Sequence, residues 1–151
     1  FTSSPSFYNH LRSSIPDAKI TIITDSSNFD EIQKHFDELT DVRRFNSFKD
    51  ISKYISNMNV NTRIISFASG YIFSSKEIAR FSFPILNFHA GSIPDNRGRT
   101  PLFWDIVEGK KNSHGTLHSV SEKIDMGRIL STVNIKIRND DTPKTLADKL
   151  L

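Results

Sequence analysis

The stretch that most limits how this chain can fold is residues 83–101, where a short apolar run gives way at once to a long polar segment. The run Phe83 to Leu86 is typical of a buried strand. Asn87 and His89 follow it two positions apart, so on an extended backbone both side chains leave the same face of the strand. Turn-forming residues then interrupt the polar segment at three points: Gly91, Pro94 and Gly98. This pattern predicts a strand end carrying an amide and an imidazole, followed by a shaped loop.

Thr100 and Pro101 end the loop with a residue suited to cap a helix and a proline suited to its first turn. A helix is therefore predicted from Pro101, and Gly109 is predicted to end it as the C′ residue. Ligand sites in open α/β sheets lie at the carboxyl ends of the strands. The strand end at Asn87 and His89 is therefore the predicted site.

Before and after this loop, β-branched apolar runs alternate with segments whose apolar residues recur at helical spacing. Strands are predicted at 19–24, 42–45, 63–68, 85–88, 115–120 and 128–137. Helices are predicted at 5–15, 29–39, 48–58, 74–80 and 101–109, with a last one opening at Thr142. This alternation predicts an α/β fold, with a mainly parallel sheet flanked by helices.

The length of 151 residues predicts one domain, spanning residues 1–151. A helix that begins at Pro5 would normally follow a strand in an α/β chain, and only four residues precede it. The last predicted helix, from Thr142, reaches Leu151 after barely two turns. We therefore expect the domain to be incomplete at both ends, lacking its first strand and its C-terminal part.

Composition narrows the classes of partner. The sequence has no run near the roughly 20 apolar residues that span a bilayer, and it has no cysteine for disulfides or thiolate chemistry. The formal net charge is +3, and the basic residues are scattered rather than clustered. We expect a cytoplasmic protein that binds an anionic small molecule, with neither nucleic acid nor membrane as partner.

Three polar residues could carry chemistry together: Asn87, His89 and Asp125, the last in the turn between the two final predicted strands. If that turn folds over the strand end, an amide, an imidazole and a carboxylate converge. The amide can donate to a developing oxyanion, and the imidazole can take a proton from an attacking amine. The carboxylate can orient the imidazole and stabilise its cation. The set predicts acyl transfer to an amine.

Each of these residues also has an ordinary structural interpretation. An Asn-x-His pair at a strand end is commonly a hydrogen-bonded cap, and an Asp in this position is commonly a turn residue. Zinc or iron could be held by His89, His114, His118 and Asp125, but their spacing matches no familiar ligand pattern, so no metal is predicted. The sequence contains no G-x-G-x-x-G or Walker loop, so it does not predict a dinucleotide or a nucleoside triphosphate as ligand.

A series of motifs in fixed order runs through residues 87–127: Asn87-Phe88-His89, Pro94, Gly98, Pro101, Thr116-Leu117-His118 and Asp125-Met126-Gly127. In this combination the sequence resembles the 10-formyltetrahydrofolate-dependent formyltransferase family. The resemblance implies a Rossmann-like formyltransferase fold, 10-formyltetrahydrofolate as formyl donor and no metal. It implies that Asn87, His89 and Asp125 form the catalytic triad, with His118 as an accessory residue. The alternative for His118 is an inward-facing strand residue paired with the backbone.

The resemblance also implies a folate pocket, formed by the loop after the preceding strand and by the turn before Asp125. Its predicted residues are Phe67, Gly70, Tyr71, Ile72, Ser121 and Ile124.

Among the branches of that family, the sequence looks most like the enzymes that formylate amino sugars on nucleotides. Asn96-Arg97-Gly98 and Phe103-Trp104 carry this likeness, and Arg97, Gly98 and Arg99 are the predicted substrate-binding residues. Both arginines could meet a diphosphate. The alternatives are glycinamide ribonucleotide as acceptor, water as acceptor in a deformylase, and a truncated domain that does not catalyse. A homodimer is expected for the full-length form.

Overall fold

In the computed structural model, which describes residues 5–24 and 40–150, the strands form two sheets. The first pairs β1 (Ile20–Thr24) with β2 (Thr40–Arg44) in parallel. The second has the order β3-β4-β5-β6. Its strands are β3 (Ile65–Phe67), β4 (Leu86–His89), β5 (Asn112–Ser119) and β6 (Ile129–Lys136). The predicted helix at 29–39 lies outside the described residues.

β4 is the strand at which the chain changes direction in the second sheet. It runs parallel to β3 and antiparallel to β5, and β5 and β6 are again antiparallel. The predicted class, parallel strands flanked by helices, is confirmed in the form of a mixed sheet. β5 begins three residues earlier than predicted, because its pairing with β6 already starts at Asn112, opposite Lys136.

The flanking helices are α1 (Pro5–Ser14), α2 (Phe48–Ser56), α3 (Ser75–Arg80), α4 (Pro101–Val107) and α5 (Pro143–Leu150). The starts of α2 and α3 are capped as the sequence indicates: the Ser47 hydroxyl accepts from Asp50 N–H at 3.2 Å, and Ser74 and Glu77 form a capping box. Among the described residues, no helix is both long enough and apolar enough to span a membrane.

The prediction that Thr100 caps α4 with its side chain is wrong. The backbone of Thr100 is left-handed, with φ of 58°, and its hydroxyl donates to the Arg99 carbonyl instead of accepting from the helix. A side-chain cap needs an extended backbone at that residue. Pro101 does occupy the first turn, and Gly109 follows the helix with φ of 67°, as predicted.

Apolar side chains cover β4 on both faces. Ile85, just before it, belongs to a cluster with Ile51 and Ile55 of α2. Phe88 packs against a second cluster, whose buried members are Leu102 of α4 together with Leu146 and Leu150 of α5. Apolar packing from α2, α4 and α5 therefore supports the strand, and the polar loop follows its carboxyl end.

A buried carboxylate ties α2 and α3 to the loop after β3. Glu77 is 8% exposed and accepts hydrogen bonds from the Tyr71 hydroxyl at 2.6 Å, the Ser52 hydroxyl at 2.7 Å and the Ser74 N–H at 2.8 Å. Burial by itself would raise the pKa of Glu77, but the hydrogen bonds from Tyr71, Ser74 and Ser52 outweigh it and lower the pKa. Burial, reinforced by the bond to Glu77, raises the pKa of Tyr71 to about 12.

Gly127 is fixed by the close approach of β5 to the start of β6. A Cβ at this position would lie 1.6 Å from the Ser119 carbonyl oxygen. The same two segments are joined by the Ser119 N–H, which donates to the Arg128 carbonyl at 2.9 Å, and by the Arg128 N–H, which donates to the Ser119 hydroxyl at 3.0 Å. Because Gly127 lies two residues after Asp125, this contact sets where the Asp125 turn leaves the sheet.

We predict that Glu77→Gln lowers the free energy of unfolding by about 1–3 kcal/mol at neutral pH, since four donors lose a charged acceptor. The lowered pKa means that the ionised form stabilises the fold above the ordinary value of 4.5 and that this contribution is lost as the pH falls through the lowered value. The difference in melting temperature between parent and variant should therefore narrow in acid. Glu122→Gln, an exposed carboxylate, is the control. A difference that is constant with pH would contradict the assignment.

Gly127→Ala should destabilise the protein by about 2–3 kcal/mol, because the added methyl group overlaps a backbone carbonyl that cannot move without separating β5 from β6. Gly70→Ala is the matched control, since a Cβ there would make only an ordinary contact of 3.7 Å with the Phe48 ring. Urea unfolding of both variants checks the difference. Equal stability of the two variants would show that the turn can relax.

Candidate active site

The strand pairing brings Asn87 and His118 together. Asn87 on β4 lies opposite His118 on β5 in the antiparallel register, so their side chains are neighbours on one face of the sheet. The Asn87 amide nitrogen is 3.1 Å from Nε2 of His118. His89 follows two residues later on the same strand, where its ring is 7% exposed. The strand end therefore presents one amide and two imidazoles, as the spacing of the sequence indicates for Asn87 and His89.

Asp125 lies across these rings, in the turn after β5. Its Oδ2 atom is 3.6 Å from Nδ1 of His89, and its Oδ1 atom is 3.5 Å from Nε2 of His118. Oδ2 also accepts a hydrogen bond from the Gly98 N–H at 2.9 Å. The backbone of Asp125 is left-handed, with φ of 50°, and this conformation turns the carboxylate back over the sheet. The predicted convergence of Asn87, His89 and Asp125 is thus present in the geometry.

Asp125 carries its negative charge in a largely enclosed place. Burial by itself would raise its pKa, but the nearby His118 ring, the hydrogen bond from the Gly98 N–H and the nearby His89 ring outweigh burial and lower the pKa below its usual value. The side chain is 9% exposed. At neutral pH the carboxylate is therefore ionised and can stabilise a cation on either ring.

The hydrogen-bond partners fix the tautomer of His89. Its Nε2 atom is 2.6 Å from the Asn96 main-chain carbonyl oxygen, which can only accept. Nε2 therefore carries the hydrogen, and in the neutral ring Nδ1 is left with a lone pair that faces Asp125. The proton-accepting atom of this imidazole thus points toward the carboxylate.

His118 has the environment of the inward-facing strand residue that the sequence left as an alternative, and its accessory role stays a prediction. It is a buried strand residue, 2% exposed, whose Nδ1 lies 2.8 Å from the Ser119 carbonyl oxygen and therefore carries the hydrogen. Nε2 of the neutral ring then accepts from the Asn87 amide. The lone pair on His118 Nε2 can bond only to the NH₂ group of Asn87 and not to its oxygen. His118 therefore fixes the orientation of the Asn87 side-chain amide.

The loop after β4 contacts the Asp125 turn rather than only surrounding it. Arg97 Nε donates to the Asp125 main-chain carbonyl at 3.2 Å, next to the Gly98 contact. Arg99 is exposed, and its guanidinium makes no hydrogen bond or ion pair within residues 5–24 and 40–150. The substrate-binding role of Arg97, Gly98 and Arg99 stays a prediction.

The residues predicted to line a folate pocket have different environments. The Phe67 ring centroid lies 5.6 Å from that of Phe88, and the Tyr71 side chain is buried with its hydroxyl bonded to Glu77. Ile72 is 64% exposed, and Ile124, next to Asp125, is 58% exposed. Gly70 packs near the Phe48 ring, and the Ser121 hydroxyl donates to the Lys123 carbonyl. Their role also stays a prediction.

Sequence reasoning missed the polar network behind His89. Asp105, on α4, is 2% exposed and accepts hydrogen bonds from the Asn96 amide, from Ser113 Oγ at 2.6 Å and from Lys110 Nζ at 2.9 Å. One signal was available: Asp105 follows four residues of which three are apolar and precedes two more apolar residues. An acidic residue within a helix of this composition indicates a buried partner.

The arrangement can transfer an acyl group to an amine. Asn87 can donate to a developing oxyanion, Nδ1 of His89 can take a proton, and ionised Asp125 can stabilise the cation that forms. Within the described part of the chain, no group of three or more His, Cys, Asp or Glu side chains could hold a metal ion.

Comparison with known sequences points the same way. Residues 18–151 match the family model described as formyl transferase. The chain is 45% identical over 64 residues to the bifunctional polymyxin resistance protein ArnA of Wigglesworthia glossinidia brevipalpis, covering 42% of the chain and 10% of that protein. It is 33% identical over 87 residues to the methionyl-tRNA formyltransferase of Bacillus subtilis (strain 168), covering 58% of the chain and 27% of that protein. The matches therefore span only a tenth to about a quarter of these relatives.

Solved structures share the fold. The phosphoribosylglycinamide formyltransferase of Bacillus halodurans superposes with a TM-score of 0.69 at 18% identity, over 97% of this chain and 79% of that one. The formyltransferase PseJ of Anoxybacillus kamchatkensis, in complex with UDP-4,6-dideoxy-4-formamido-L-AltNAc and tetrahydrofolate, has a TM-score of 0.61 at 22% identity, over 87% of this chain and 68% of that one. Since the family model matches nearly the whole chain, the protein belongs to the formyl transferase family.

Proposed function

We propose that residues 1–151 form the catalytic domain of an enzyme that transfers a formyl group from 10-formyltetrahydrofolate to a primary amine. The observation that carries the proposal is the 3.6 Å separation of His89 Nδ1 and Asp125 Oδ2, beside the Asn87 amide. A base, its counter-charge and an oxyanion donor are the groups that this reaction needs. Membership of the formyl transferase family supports the choice of the formyl group.

The reaction can be followed atom by atom. The amine nitrogen attacks the formyl carbon, and negative charge develops on the formyl oxygen. Asn87 has two N–H groups; one meets His118, and the other is available to that oxygen. Nδ1 of His89 receives the proton released by the amine, and Asp125 stabilises the resulting cation. The bond from the formyl carbon to N10 of the folate then breaks, and the same proton passes to N10.

The residues beside Asp125 fit a flat, partly apolar donor. Ile124 and Met126 flank Asp125 and expose 58% and 49% of their surfaces. Large apolar side chains at such exposure gain free energy when an aromatic ring covers them. These side chains, with the exposed Ile72 on the loop after β3, would hold the ring system while Ser121 and its neighbours offer main-chain groups.

We further propose a nucleotide-linked amino sugar as the acceptor. Arg97 and Arg99 are adjacent to the Asp125 contact, and Arg99 is exposed, so a diphosphate could bind beside the reacting amine. The shared fold with PseJ supports this class, as the nucleotide sugar in that complex carries a formamido group. The names of other relatives keep glycinamide ribonucleotide and methionyl-tRNA as alternative acceptors.

We predict that His89→Ala and Asp125→Asn each lower kcat by about 10²- to 10⁴-fold in the intact protein, because each removes a group that acts only while the proton moves. His114→Ala, which removes an imidazole from the same strand as His118, is the matched control and should retain activity. Single-turnover formyl transfer is the measurement. Activity that survives both substitutions would overturn the proposed mechanism.

The pH dependence of Asp125 follows from its lowered pKa. Its carboxylate is ionised from above its ordinary value of 3.8 upward, so no charge is gained or lost in the neutral range. The ¹³C chemical shift of the Asp125 side-chain carboxyl in the parent should therefore titrate with a midpoint below 3.8, and this signal should be missing from Asp125→Asn. A midpoint above 3.8 would contradict the lowered pKa of Asp125.

The acceptor can be identified by supplying 10-formyltetrahydrofolate with amino sugar nucleotides, with glycinamide ribonucleotide, with methionyl-tRNA or with no acceptor. Arg99→Gln should raise KM for a nucleotide sugar by about tenfold, the loss of one charge-assisted contact, and leave kcat unchanged. Arg128→Gln, a cation outside the predicted substrate-binding loop, is the control. Formyl transfer to the tRNA alone, or formate release without acceptor, would overturn the nucleotide sugar assignment.

A further inference from the structure

A buried aspartate lies behind the proposed active site without touching its reacting groups. Asp105 is 2% exposed, and an ionised carboxylate so far from water is costly unless every oxygen is matched. Its three partners supply that match: Lys110 Nζ at 2.9 Å, Ser113 Oγ at 2.6 Å and the side-chain amide of Asn96. Lys110 also pairs with Glu108 at 3.0 Å, so the Lys110 ammonium group lies between the carboxylates of Asp105 and Glu108.

Asn96 is the residue through which this carboxylate reaches the site. Its side chain donates to Asp105, while its main-chain carbonyl accepts the Nε2 hydrogen of His89 at 2.6 Å. The Asn96 N–H donates to the Ser92 carbonyl at 2.6 Å, which closes the loop locally but does not attach it to α4. The Asn96 side chain fastens this part of the loop by two contacts: its amide nitrogen donates to Asp105 on the helix, and its Oδ1 accepts from Lys110 Nζ at 3.2 Å.

The same loop segment reaches the other catalytic side chain. One residue after Asn96, Arg97 Nε donates to the Asp125 carbonyl, and the next N–H, that of Gly98, donates to the Asp125 carboxylate at 2.9 Å. Residues 96–98 therefore contact both the imidazole and the carboxylate. A shift of this segment would change the His89 hydrogen bond and the His89–Asp125 separation together.

We propose that Asp105 is a positioning residue, which acts through Asn96 to hold residues 96–98 in place and thereby keeps His89 in the Nε2–H tautomer with Nδ1 toward Asp125. The effect on catalysis rests on the proposed function, whereas the effect on the ring does not. Asp105 touches neither His89 nor the reacting atoms, so its influence passes entirely through the Asn96 side chain.

The contact between Asn96 and Asp105 can be removed by substituting either residue. Asn96→Ala leaves Asp105 paired with Lys110 and Ser113, so the helix keeps a matched carboxylate while the loop loses its attachment. Asp105→Ala removes the acceptor of the Asn96 amide nitrogen and leaves the Asn96 side chain with its contact to Lys110 alone. Asp105→Asn retains an oxygen for Asn96 and can turn its amide toward the Ser113 hydroxyl, so it should behave like the parent.

Two measurements separate positioning from a general loss of structure. The nitrogen chemical shifts of His89, in the intact protein with ¹⁵N-labelled histidine at a pH where the ring is neutral, report which nitrogen carries the hydrogen. The parent and Asp105→Asn should show Nε2–H, and Asn96→Ala and Asp105→Ala should show a mixture with Nδ1–H. In formyl transfer, the two alanine variants should lose kcat by about 10- to 100-fold with little change in KM, as expected for a displaced catalytic group.

The double variant supplies the test of the route. If Asp105 acts only through Asn96, combining Asn96→Ala with Asp105→Ala should lower kcat no further than either change alone. Glu108→Gln is the matched control, because it removes a carboxylate that also pairs with Lys110 but does not contact Asn96. It should leave the tautomer and kcat unchanged.

The outcomes distinguish this inference from the proposed function. An unchanged His89 tautomer in Asn96→Ala overturns the positioning role, whatever happens to kcat, and this variant decides the matter even if Asp105→Ala fails to fold. Additive losses in the double variant also overturn it. A shifted tautomer in a protein that transfers no formyl group supports the positioning role and rejects the proposed function instead.

Discussion

The hydrogen bond from the Gly98 N–H to the Asp125 carboxylate is the contact on which the geometry of the site depends. Together with the bond from Arg97 Nε to the Asp125 carbonyl, it joins the loop after β4 to the turn after β5; Gly98 and Asp125 are 27 residues apart in sequence. It also helps lower the pKa of Asp125, after the larger effect of the nearby His118 ring and against the cost of burial. The Asp125 carboxylate therefore stays ionised at neutral pH, and the imidazole is the group that takes up the proton during the reaction.

Strand pairing and backbone contacts, rather than flexible side chains, fix the positions of the other site residues. Antiparallel register places His118 opposite Asn87, and the period of the strand places His89 on the same face. Apolar clusters on both faces of β4 keep that strand from shifting. The close approach at Gly127 then determines where Asp125 can lie. Each reacting group is therefore set by backbone geometry, which leaves little to be organised when substrate arrives.

The sequence was informative where one local rule decides the outcome. Period and turn residues were enough for the strand end at Asn87 and His89, and serine caps were enough for the starts of α2 and α3. It misled at Thr100, where residue type suggested a cap but the loop imposes a left-handed backbone that no local signal of threonine reveals. It was silent about Asn96 and Asp105, because their meeting depends on how the loop folds back on α4, a relation between segments that periodicity does not encode.

The nature of the acceptor on His89 explains why a distant carboxylate is useful. A main-chain carbonyl offers only lone pairs, so it selects the Nε2–H tautomer as long as it stays in place. A side-chain hydroxyl or amide could reverse its role and allow either tautomer. A carbonyl can therefore select only this tautomer, but it does so only while it stays within hydrogen-bond distance of Nε2. Loops are more mobile than helices and strands, so a carbonyl on a loop is held less firmly. Attaching the Asn96 side chain to a buried, fully matched carboxylate on α4 gives that carbonyl the rigidity of a helix.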